Sequence, residues 1–147
     1  MVWWDGQRVR RALTIPSEHI RVHIGSGVQV ACEHLQCFGM AIGKETFETA
    51  YWIGSIREYC RTLGAPFHRV YRSEVKMHLC QSMRAKDANV RQALIDRFGA
   101  VGTKKNPGPL HGVSGHCWSA LAVAVTCAAR PGIFERQQAQ PDLAIVT

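Results

Sequence analysis

The chain has 147 residues, 46% of them hydrophobic and 20% charged, which is enough for one domain with its own core and excludes a disordered or low-complexity segment. Lys and Arg number 18 against 11 Asp and Glu, a formal charge of +7, so the expected partner is a polyanion, with a merely solvated basic surface as the alternative. No apolar run reaches the roughly 18 residues of a membrane span, and Met1-Val2-Trp3-Trp4-Asp5-Gly6 lacks the basic start and apolar stretch of a secretory leader.

The first dozen residues predict a hairpin, with Val2-Trp3-Trp4 and Arg8-Val9-Arg10 flanking Asp5-Gly6, a dipeptide suited to a turn with positive φ. Pro16 opens a short helix over 16–24 that Gly25-Ser26-Gly27 ends. The run Val28-Gln29-Val30-Ala31-Cys32-Glu33 reads as an apolar strand closing on a carboxylate. An acid at the end of a buried strand is desolvated unless it meets a partner, and a cation is the usual one; an edge-strand Glu facing solvent is the alternative.

A loop over 34–43 leads to a long helix over 44–63, whose apolar residues Phe47, Ala50, Ile53, Ile56, Cys60 and Leu63 recur at spacings of three and four. A second strand is expected over 66–71. Strand, helix and strand in that order give a parallel pair with a right-handed crossover. Two short helices follow at 73–81 and 87–98, the second capped by Asp87. A basic, Gly/Pro-rich loop over 99–109 precedes a last helix over 113–129, rich in small apolar residues and so packed closely on the sheet. From Pro131 the sequence loses its period, which gives one domain over 1–130 and a polar tail over 131–147.

Six cysteines, at 32, 37, 60, 80, 117 and 127, form no CxxC pair and most sit within apolar periodic segments. They read as reduced thiols of a cytoplasmic protein. A zinc site from Cys32, Cys37, His116 and Cys117 is the alternative, but the spacings match no zinc module.

Several segments carry a resemblance in order as well as content: Val30-Ala31-Cys32-Glu33, Arg69-Val70-Tyr71-Arg72-Ser73-Glu74-Val75-Lys76, Arg84-Ala85-Lys86-Asp87-Ala88-Asn89-Val90, Gly102-Thr103-Lys104-Lys105-Asn106-Pro107-Gly108 and His116-Cys117-Trp118-Ser119-Ala120-Leu121. Together they span about residues 28 to 127. The pattern resembles the RuvC-like Holliday junction resolvases of the ribonuclease H-like superfamily, especially forms found in bacteriophages. The resemblance implies an α/β fold, a ribonuclease H-like mixed sheet of five strands flanked by helices. It implies a homodimer acting on branched or junction DNA in recombination and repair. It also implies an endonuclease hydrolysing phosphodiesters with two divalent ions, Mg²⁺ or Mn²⁺.

Within that pattern Glu33 matches the acid of the fourth strand, and His116 the first acidic position of the last helix, as catalytic and metal-holding residues. Ser119 stands where bacterial members carry a second Asp. The family's first strand, central in the sheet and ending in an Asp, has no counterpart before the hairpin, so the sequence predicts an N-terminally truncated domain with an empty central slot. Asp5 is the alternative source of that acid, although Asp5-Gly6 reads as a turn.

Arg72, Lys76, Lys86, Lys104 and Lys105 are the expected DNA-binding residues, contacting phosphates that need no fixed motif. Phe38 could stack on a base or tuck onto the core; Trp52 and Trp118 read as core. Two functions stay open for the chain: a structure-selective DNA endonuclease, and a catalytically incomplete DNA-binding remnant. A third, from another class, is an interaction subunit whose charge maintains solubility.

Overall fold

The computed structural model describes residues 1–25, 27–36, 39 and 41–130, with the backbone of Asp142–Val146. The elements run β1 (Val2–Trp4), β2 (Val9–Ala12), a 3₁₀ turn (Ser17–His23), β3 (Val28–His34), α1 (Lys44–Thr62), β4 (Phe67–Tyr71), α2 (Arg72–Cys80), α3 (Asp87–Phe98), α4 (Cys117–Ala128) and β5 (Asp142–Val146).

The hairpin forms as its sequence predicts. Asp5 Oδ1 accepts bonds from the Gln7 and Arg8 N–H groups at 2.9 and 2.8 Å, and Gly6 takes a φ of 100°. An aspartate that turns the chain through its own side chain is the standard reason for Asp-Gly at such a site. Burial works against its ionisation, yet the Arg8 and Gln7 N–H groups and the Arg10 guanidinium hold the Asp5 carboxyl below its ordinary value.

Five strands make one mixed sheet in the order β2-β1-β5-β3-β4. β1 is antiparallel to β2 and β5, whereas β3 is parallel to both β5 and β4. This corrects two expectations. The central slot is not empty, because β5 lies in it, pairing Ala144 with Trp3 on one side and Val30 on the other. Part of the stretch read as a polar tail is therefore a central strand; residues 131–141 and 147 lie outside the described residues. The open edges that a missing strand would leave do not exist, and the truncation loses its structural basis.

Side-chain alternation along β3 divides the core in two. Val28, Val30 and Cys32 pack with Ile53, Ile56 and Cys60 of α1 and Ile20 of the 3₁₀ turn. Ala31 faces the other way, into a cluster with Val70, Val75, Leu94 and most of α4. Helices thus cover both faces, as the resemblance implies. α4 is buried nearly all round, and its small Ala120, Ala122 and Ala124 side chains suit close packing on more than one side. It starts later than the expected 113–129, because 110–116 is spent on two turns, closed by Val113 N–H to Leu110 O and Cys117 N–H to Ser114 O.

α1 packs through its C-terminal half only. Phe47, expected in the buried stripe, is 66% exposed, as is its neighbour Tyr51 at 68%. Cys32 and Cys117 belong to clusters on opposite faces of the sheet, so they cannot share a zinc ion; Cys37 lies outside the described residues. Burial pushes the Cys32 thiol up to about 12, and those of Cys60 and Cys127 up to about 11, which suits thiols acting as small hydrophobes.

Candidate functional site

Three parallel strands end at the same edge of the sheet. Glu33 of β3 is in register with Val70 of β4, and Cys32 with Val146 of β5. The carboxyl ends of parallel strands are where open α/β sheets place their chemistry. Glu33 shares its strand face with Ala31, the face that α4 covers.

Register then explains the partner of Glu33. Two residues after Val70 the chain turns into α2, whose first residue is Arg72. That start is pinned by Glu74, which accepts the Tyr71 N–H at 2.6 Å and is itself gripped by Arg130 Nη2 at 2.8 Å. The Arg72 guanidinium so placed lies 3.8 Å from Glu33 Oε1 and also pairs with Asp87. Burial pushes the Glu33 carboxyl above its ordinary range; Arg72 pulls it down and Asp87 adds to the rise.

Asp87 does not cap α3, as its sequence position suggested. It is the first helical residue; the N-cap is Lys86, whose N–H donates to Asn89 Oδ1 at 2.9 Å. Its side chain is thereby free to meet Arg72.

The beginnings of α2, α3 and α4 converge on a cleft of ≈ 420 Å³ whose walls include Arg72, Asp87, Arg91, His116, Trp118 and Ser119. Glu33 reaches this cleft through Arg72. His116 is exposed and is the N-cap residue of α4, its carbonyl accepting the Ala120 N–H at 3.2 Å. Trp118 is buried, as expected; Trp52 is half-buried beside Tyr51. Phe38 lies outside the described residues.

None of the four expected phosphate-contacting lysines lines the cleft. Lys86 is exposed just ahead of Asp87, and Lys76 is half-buried on α2. Lys104 and Lys105 crown a small hairpin closed by a Gly102–Pro107 bridge and by Gly108 N–H to Val101 O at 3.0 Å. Glycine is required there: a Cβ on Gly102 would sit 2.2 Å from Gly108 N, and one on Gly108 2.0 Å from Ala100 O.

Among the described residues, the donors do not match the two Mg²⁺ or Mn²⁺ ions that the resemblance implies. Among the described residues no group of three or more His, Cys, Asp or Glu side chains can hold a metal ion. Glu33 and Asp87 share an arginine, and Ser119 offers a hydroxyl where a carboxylate would serve a hard cation far better.

Sequence reasoning missed Asp87 as a partner of Arg72, and Arg91 altogether. Both lie on the first turns of a helix expected at the right place, but their partners come from other elements and no local signal names them.

Among solved structures, the fold is similar to that of Thermus thermophilus RuvC, with a TM-score of 0.55 and 17% sequence identity over 92% of this chain and 83% of that one. No protein-family model and no curated protein matches the chain. At this identity the likeness is one of fold, and the fold is a ribonuclease H-like mixed α/β domain.

Proposed function

We propose that the chain belongs to the RuvC-like resolvases and binds branched DNA, with Glu33 as the centre of a phosphodiester-hydrolysing site. The observation that carries this reading is Glu33 itself: a partly buried carboxyl at the end of β3, beside a cleft where three helices begin, in a ribonuclease H-like sheet. Exposed Lys86, Lys104 and Lys105, with Lys76 on α2, supply the charge that meets the phosphate backbone. Arg72, expected from the sequence to contact phosphate, borders the cleft paired with Glu33 and Asp87, so its charge adds to the basic surface from a fixed place.

A carboxyl whose pKa is raised by burial is suited to accept a proton from an attacking water. In this reading Glu33 takes that proton as the water oxygen bonds to phosphorus and the P–O bond to the leaving strand breaks. His116 at the cleft wall returns a proton to the leaving oxygen. A second copy of the chain would sit on the exposed apolar side chains Val22, Phe47 and Tyr51 of the 3₁₀ turn and α1.

The second reading is a DNA-binding domain without cleavage, favoured by the incomplete set of metal donors among the described residues. One experiment separates the two. Wild type and Glu33→Gln are incubated with a four-way DNA junction, with and without Mg²⁺. Nicking by the wild type that Glu33→Gln loses, with binding unchanged, supports hydrolysis centred on Glu33. Binding without nicking by either supports the second reading, and nicking at the parent's rate by Glu33→Gln removes Glu33 from the centre. No binding by the wild type refutes both.

A further inference from the structure

The cleft at the starts of α2, α3 and α4 holds two guanidinium groups in opposite circumstances. Arg72, 24% exposed, is committed to Glu33 and Asp87. Arg91 is exposed, and among the described residues it makes no ion pair; its guanidinium carbon lies 4.7 Å from the centroid of the Trp118 ring.

The local sequence explains the difference. Arg91 lies four residues after Asp87 on α3, the spacing at which an aspartate and an arginine ordinarily pair along one helix face. Arg72 diverts Asp87 from that pairing. Arg91 therefore lies over the indole, a contact made with the ring's π face that engages no carboxylate with its N–H groups. The support is rigid, because Trp118 is buried in the first turns of α4. Less side-chain freedom remains to be lost when a ligand arrives.

We infer that Arg91, stacked on Trp118, is the residue that grips a phosphodiester of the nucleic acid in this cleft, while Arg72 serves to hold Glu33 and Asp87 in place. A planar fork with no carboxylate partner matches two oxygens of one phosphate, as an ammonium cannot. The inference rests on the nucleic-acid reading above, and names which cation of the site meets the backbone.

The test is a salt titration of binding to a fluorescent four-way junction by the full chain and by Arg91→Ala and Arg91→Lys, with circular dichroism melts to show that each variant folds. Arg91→Ala is expected to weaken binding about tenfold and to lower the slope of log affinity against log salt by about 0.9. Arg91→Lys is expected to restore the slope but only part of the affinity. In the wild type, the Arg91 Nε–H resonance is expected to shift on adding the junction.

If the wild type binds and Arg91→Ala changes neither slope nor affinity, Arg91 is a solvated stack and the inference fails while the function stands. Full recovery by Arg91→Lys would overturn the fork-shaped contact. A wild type that binds no junction ends both readings together.

Discussion

Deleting the Arg72 side chain tests the electrostatics of the site without any assumption about substrate. Arg72 Nε is 3.8 Å from Glu33 Oε1, and the two side chains are 24% and 27% exposed. Coulomb attraction at that distance is roughly 4 kcal/mol at an effective dielectric of about 20, and desolvation of both groups returns most of it. Exposed pairs contribute about 0.2–1 kcal/mol, and breaking a fully buried pair costs about 3–5. A pair one-quarter exposed falls between, so the Glu33–Arg72 coupling is expected to be about 1–2 kcal/mol at neutral pH.

Its pH dependence follows from the direction of the Glu33 shift. Burial raises that carboxyl above its ordinary range, against the pull of Arg72. The native state therefore takes up the proton more readily than the unfolded chain, and the burden of Glu33 on stability is absent below the ordinary carboxylate range and grows as pH rises through the native pKa. Without Arg72 the native pKa rises further, so Arg72→Ala loses most stability near neutrality and least in acid. Urea unfolding of wild type, Arg72→Ala, Glu33→Gln and the double variant, at about pH 4 and pH 7, gives the coupling from a double-mutant cycle, which cancels the separate contact with Asp87. A coupling below about 0.3 kcal/mol at neutral pH, or one that does not fade in acid, would refute the reasoning.

Lys104→Ala with Lys105→Ala is expected to lower the salt slope of junction binding by about 1.8, twice the loss per phosphate contact; fluorescence anisotropy measures it, and an unchanged slope shows that the hairpin tip is only solvated. Ala144→Pro places an imide at the midpoint of β5, which is hydrogen-bonded to a strand on each side. A central strand cannot spare that N–H, so the urea midpoint should fall by the equivalent of about 3 kcal/mol, and amide protection in Val28–Cys32 should drop. A neutral Ala144→Pro would remove β5 from the centre of the sheet.

Local pattern was readable where one segment decides its own state. The helix expected at 87–98 coincides with α3 (Asp87–Phe98), because its apolar period and flanking loops agree. The hairpin was readable from Asp5-Gly6 for a similar reason. Phe47 shows what periodicity omits: the period assigns a helix face, whereas burial depends on whether another element lies beneath that turn. β5 was missed because Leu143-Ala144-Ile145-Val146 follows a polar stretch and shows no alternation, and a strand of that kind is fixed by its neighbours more than by its own residues. Glu33 was conspicuous by its place at a strand end. Its pairing with Arg72 depends on register across 39 positions of chain, and the stacking of Arg91 on Trp118 depends on two helices meeting, neither of which local pattern contains.

The placement of β5 bears on how the molecule comes together. β1 and β2 form one locally closed ribbon and β3 and β4 another through α1, and in the sheet of the described residues the two are joined by way of β5. Val2 pairs with Ile145, a contact between distant parts of the chain, and contacts of that kind slow folding because the loop-closure entropy must be met before they form. Backbone pairing between the two ribbons therefore depends on a strand from the far end of the chain, while α4 packs against both of them in one core cluster. The same strand ends beside Cys32 and so next to Glu33. Pairing of β5 therefore ties the strand that carries Glu33 to the hairpin at the other side of the sheet.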